Sequence, residues 1–153
     1  MSEGSDLVAL LDVNVLVALF DEMHAHHEAA HLWFGHNRRL GWATCPLTEN
    51  GFVRIISTPT YPGRGINLPD AITRLEEFRA SGDHSFWPDS VSLRDGDLFR
   101  PRHITGHRQL TDVYLLALAF QYGGRLATFD RTIPLRSVPG ARPEHLTVLN
   151  PET

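Results

Sequence analysis

Four acidic residues stand where a carboxylate could do chemistry: Asp12, Glu49, Asp112 and Asp130. Asp12 interrupts the apolar run 7–20, where a buried carboxylate is expensive without a partner. Asp12 and Asp130 each end a segment that reads as a strand, and Asp112 begins a helix that is apolar almost all round. Glu49 falls in the first turn of a helix opened by Pro46. Carboxylates brought together repel one another and take up protons unless a cation sits among them. A hard divalent ion, magnesium or manganese, would resolve that conflict, and it could activate a water for in-line attack on a phosphodiester. Taken singly, each acid has a plainer use: Asp112 as a helix-start residue, Glu49 as a solvated first-turn residue, Asp130 as a turn residue before Arg131. The four together carry the argument.

The elements that would position them alternate in type. An apolar strand over 7–12 leads into a helix over 13–20, and a second helix is predicted over 25–37. A short buried strand, 42–45, precedes the helix over 46–56. Residues 59–67 carry prolines and glycines and read as a loop, after which 69–80 has helical apolar spacing and is ended by Gly82. Residues 84–87 form a candidate strand, and 88–107 reads as an irregular, exposed connection. Thr111 is placed to cap the helix over 112–122, which Gly123 and Gly124 stop. Strands over 125–128 and 146–149 complete the pattern. Such alternation predicts an α/β fold in which helices flank a mostly parallel sheet. In such a sheet the crevice at the carboxyl ends of the strands is where ligands bind.

At 153 residues and 42% hydrophobic content, the chain is expected to form one domain over 1–153. The longest apolar runs, such as 113–120, are far short of a membrane span, and the first residues do not resemble a secretory signal. The single cysteine, Cys45, has no internal partner, so a reducing, cytoplasmic setting is expected. A net charge of -4 excludes a protein that holds nucleic acid by overall basicity, so any such contact must be local. The 14 cationic side chains are all arginine. Arg94, Arg100, Arg102, His103, His107 and Arg108 gather ahead of Asp112. Of these, Arg102, His107 and Arg108 are candidates for phosphate contact, against a reading as solvated surface that offsets Asp95 and Asp97.

Residues 27–31 spell HEAAH, formally the zinc helix of metalloproteases, with His27 and His31 on one face and Glu28 as base. Nothing downstream marks a third ligand, and His24, His26, His27, His31 and His36 read together as a histidine-rich exposed helix. Trp33, Trp42, Trp87 and most phenylalanines fall in apolar periodic settings and read as core or interface rather than as base-stacking platforms. A catalytically idle binding module is a third reading, since fold does not fix function.

Four segments resemble a known family when taken in order and spacing. LLDVNVLVAL at 10–19, TENGFVRIIS at 48–57, GHRQLTDVYLLALA at 106–119 and LATFD at 126–130 are similar to the successive acidic blocks of PIN-domain ribonucleases, in particular VapC-type toxins of the mycobacterial subgroup. The resemblance spans nearly the whole chain. It implies a PIN-like three-layer α/β/α sandwich, with Asp12, Glu49, Asp112 and Asp130 holding one or two magnesium or manganese ions. Asn14, Thr111 and Thr128 match supporting polar positions. It also implies an RNA substrate, a homodimer, and a small cognate antitoxin that blocks the site. A longer connection over 88–106 and the tail after Asp130 depart from the pattern.

Overall fold

The computed structural model describes residues 6–62 and 65–149; what was read into the chain's start, into 63–64 of the loop over 59–67 and into 150–153 lies outside them. Five short strands, β1 (Ala9–Leu11), β2 (Trp42–Thr44), β3 (His84–Phe86), β4 (Arg125–Thr128) and β5 (Leu146–Val148), form one sheet in the order β3-β2-β1-β4-β5. Every pairing is parallel. All strands therefore end on the same side, and the central one, β1, leads directly into Asp12.

Alternation along β1 sorts the core into two layers. Ala9 and Leu11 face α1 (Val13–Phe20), α2 (His27–Asn37), α3 (Pro46–Ile56) and α4 (Leu68–Ala80), where Leu16, Phe52 and Ala71 are fully enclosed. Leu10 faces the other way, onto α5 (Leu110–Gln121), with Ala43 and Leu126 beside it. The α/β/α layering expected from the alternation of elements is thus the observed one. No helix among the described residues is long and apolar enough to cross a membrane.

Close contacts set the spacing of these layers. A methyl group on Gly51 would lie 2.7 Å from Val13 Cγ2, so α3 rests against the start of α1 only because position 51 has no side chain. Gly124 similarly lets β4 approach Val8 and the Trp87 ring, and Gly123, at φ 70°, turns the chain out of α5.

Several boundaries differ from expectation. The second helix begins at His27 rather than 25, because 22–26 form turns in which His24 Nδ1 accepts from the His26 N–H. Asn67 caps α4 by accepting from the Asp70 N–H at 2.8 Å, and β3 and β5 each stop one residue early. Thr111 is not a cap. The 3-10 turn His107–Gln109 runs directly into α5, so the helix starts at Leu110 and Thr111 lies exposed on its first turn. The connection over 88–107 is not simply exposed either, since Leu98 and Phe99 are buried in the layer beneath α5. Trp42 and Trp87 are core, whereas Trp33 is half-buried beneath the Arg125 guanidinium.

Candidate active site

The first site residue follows directly from β1. Asp12 is the N-cap of α1, its Oδ1 accepting from the Val13 N–H at 2.7 Å. Its Oδ2 accepts from the Thr128 hydroxyl at 2.7 Å, across the β1–β4 pair. The Thr128 oxygen in turn accepts from the Asp130 N–H at 3.1 Å, so one hydroxyl links two of the acids. Asp12 is 5% exposed, and burial pushes its carboxyl up despite those two donors, with Asp130 adding to the rise.

Asp112 reaches the same point from the first turn of α5. Its pKa is pushed up to about 7, first by burial, then by the charge of Asp12, and by a hydrogen bond and repulsion from Asp130. Burial raises Asp130 as well, but the Thr132 hydroxyl and N–H, at 2.7 and 2.8 Å from its Oδ1, outweigh that and hold it below the usual carboxylate range. Three aspartates are therefore electrostatically coupled at the end of β1 and β4.

Glu49 is placed by α3, which begins after β2 at the same side of the sheet. Its Oε2 accepts from the Thr44 hydroxyl at 2.6 Å and lies 3.6 Å from Arg79 Nη1. Because the single Thr44 proton is used on Glu49, His84 must donate Nε2–H to Thr44 Oγ1, 2.8 Å away. Burial, and then Arg79, lower the His84 pKa to about 4, which keeps the ring neutral for that task.

A model of the PIN domain matches residues 9–139. The chain belongs to the PIN-domain family. Its similarity extends to Ribonuclease VapC44 of Mycobacterium tuberculosis, 45% identical over 141 residues, covering 92% of this chain and 99% of that protein. Ribonuclease VapC38 of the same organism is 50% identical over 123 residues, covering 80% and 85% of the two chains. Ribonuclease VapC39 is 44% identical over 127 residues, covering 83% and 91%.

The donor set of this PIN domain is carboxylate oxygen, and like charges that raise one another's pKa are relieved by a hard cation. Among the described residues no three carboxylate, histidine or thiol groups are drawn tightly enough to enclose an ion unaided. Oxygen donors of this kind are those that hard divalent cations take.

The remaining sequence candidates are placed less directly. Asn14 is exposed on α1, and neither it nor Thr111 makes a side-chain hydrogen bond among the described residues. Arg102 and Arg108 lie exposed in successive 3-10 turns, with His107 beside Arg108. Their segment is tied to the site by Gln109, whose Oε1 accepts from the Thr105 N–H and hydroxyl while its Nε2 donates to Thr132 O at 3.0 Å. Thr44, Arg79, His84, Gln109 and Thr132 were not singled out in the sequence. Only the polar Thr44 closing an apolar strand could have signalled itself.

The HEAAH histidines are committed elsewhere. His27 Nδ1 donates to Ala18 O at 2.7 Å and His31 Nε2 to Leu19 O at 2.9 Å, satisfying carbonyls left open in the last turn of α1. They cap a helix while remaining partly open to solvent, and His31 and His36 lie on the exposed side of α2, in keeping with the histidine-rich exposed helix expected from the sequence. His27→Ala with His31→Ala should cost about 1–3 kcal/mol in urea unfolding, with metal-dependent RNA cleavage retained at temperatures where the variant is folded. Loss of cleavage in a folded double variant would restore a catalytic role for the pair.

Proposed function

We propose that this chain is a magnesium- or manganese-dependent endoribonuclease, acting as the toxin of a toxin–antitoxin pair. The observation that carries it is the coupling of Asp12, Asp112 and Asp130 at the carboxyl end of a parallel sheet, with Asp112 raised to about 7. The names of the VapC relatives, each a ribonuclease, support the same reaction. In this reading Asp12, Glu49, Asp112 and Asp130 hold the ion, and Thr128 fixes the Asp12 carboxylate. Such an ion, when bound, supplies an activated water and offsets charge on the pentacovalent phosphorus. Asp12 is held rigidly by Thr128 and the Val13 N–H. Thr44 orients Glu49 in the same way.

The chain is read as a single, cytoplasmic domain that works as a homodimer with a small cognate antitoxin. A groove of about 710 Å³ between α3 and α4 begins at Glu49 and is lined by Val53, Leu68, Ile72 and Leu75. It suits an apolar partner segment that would also cover the site. Purified protein incubated with total RNA should cleave it internally, with cleavage abolished by EDTA and restored by magnesium or manganese. RNA left intact under every metal condition would refute the reading.

Substrate must be held locally, because the net charge is -4. Arg102, His107 and Arg108 are assigned to flanking phosphates, at the end of the segment that Gln109 ties to the site. Arg108→Ala, and to a smaller extent Arg102→Ala, should weaken RNA binding and reduce the slope of log affinity against log salt by about 0.7 per lost contact. The measurement is made with calcium in place of magnesium. An unchanged slope in both variants would assign these arginines to solvent.

A further inference from the structure

Phe86 is the exposed phenylalanine among the described residues, 42% open to solvent at the last position of edge strand β3. Its register partner is Thr44, the residue that holds Glu49. The two side chains share a sheet face with Trp42 and His84, whose rings are in contact at 4.6 Å. Phe86 thus continues a buried row outward to the carboxyl end of the sheet, where packing stops.

What covers the ring in part is Arg79. From the last turn of α4 its guanidinium lies 5.3 Å from the Phe86 centroid, while Nη1 is 3.6 Å from Glu49 Oε2. One half-exposed cation therefore bridges an acid of the proposed site and an open aromatic ring. The ion pair is open to solvent on the arginine side, which screens it in part, while Glu49 is mostly covered. Arg79 and Phe86 do have the two surfaces an unpaired nucleotide requires: flat π faces for a base, and a donor fork for the neighbouring phosphate.

Resting on the ribonuclease reading, we propose that Arg79 and Phe86 form a nucleotide subsite beside the scissile bond. An unpaired base stacks on the guanidinium–phenyl pair, and Arg79 Nη1 turns from Glu49 to the adjacent phosphate when RNA enters.

Abasic scanning tests it. A single-stranded oligonucleotide that the protein cleaves is made with one abasic nucleotide at each position in turn, and binding is measured with calcium replacing magnesium. In the wild-type protein an abasic nucleotide at one position next to the cut should weaken binding about 10-fold, the scale of base–aromatic stacking. In Phe86→Ala the same abasic change should cost less than about 2-fold, and Phe86→Trp should restore the full response. Arg79→Lys keeps the charge but loses the plane, and should reduce the response while leaving the salt slope in place. A position-specific response that persists in Phe86→Ala, or none in a wild type that cleaves the RNA, overturns the subsite alone. A wild type that neither binds nor cleaves RNA overturns the ribonuclease reading and the subsite with it.

Discussion

Asp112→Asn should abolish RNA cleavage and, at pH 8 without metal, raise the melting temperature. Cleavage is lost because the ion is asked to supply several kcal/mol of transition-state stabilisation, which is more than about a hundredfold in rate. The stability gain follows from linkage. Asp112 has a folded pKa of about 7 against an ordinary 3.8, so the folded state holds its proton more tightly than the unfolded one. No penalty is present below the ordinary value. It grows as pH rises between the two and is complete above the folded pKa. Asp12, also raised by burial, adds in the same direction. Asp130 runs oppositely: held low, it contributes stability above its ordinary range that is lost on acidification. In EDTA the wild-type melting temperature should therefore fall from pH 5 to pH 8, and magnesium or manganese should recover it by binding the folded state. In Asp112→Asn the fall should be shallower. Equal pH profiles for wild type and variant would mean that Asp112 is not coupled to its neighbours, and cleavage by the folded variant would remove it from the site.

Phe99→Ala should destabilise the protein by about 3–5 kcal/mol, as truncation of a fully buried aromatic does. The size is unexpected for a segment without regular structure. Phe99 is 1% exposed, Leu98 lies beside it beneath α5, and the Arg100 N–H donates to Ser137 O at 2.8 Å. The connection is therefore pinned in its middle, and the arginines at its end are carried by that pin. Urea unfolding of Phe99→Ala alongside Arg94→Ala, an exposed neighbour expected to change stability by less than about 0.5 kcal/mol, makes the comparison. A Phe99→Ala cost under about 1 kcal/mol would show a loop that detaches without loss.

Elements with a strong period, β1 with α1, α3, α4 and α5, were legible in the sequence, and so was the placing of Asp12, Asp112 and Asp130 at one end of the sheet. These depend on local pattern and on the rule that parallel strands finish together. The partners of Glu49 were not legible. Thr44, Arg79 and His84 meet it through the register of β2 with β3 and the reach of α4, and neither is encoded in local periodicity. Phe86 was hidden for the same reason: only the sheet order puts β3 at an edge. Thr111 failed as a cap because the turn before it was already helical enough to start α5 earlier, leaving Gln109 to spend its side chain on Thr105 and Thr132. The partners of the HEAAH histidines were not legible, because helical spacing is the same whether two rings meet a metal or the carbonyls of a neighbouring helix.

The absent side chain at Gly51 gives the molecule a ruler. Val13 directly follows Asp12, and Gly51 follows Glu49 by two residues, so their contact sets how closely the helix carrying Glu49 approaches the helix that Asp12 caps. Any larger residue at 51 would leave both acids intact and push the two helix starts apart or displace the Val13 side chain. On the proposed reading, in which both acids hold the ion, its fit would be retuned in a relative of this protein without a change to either acid, by a substitution at a position that carries no chemistry at all.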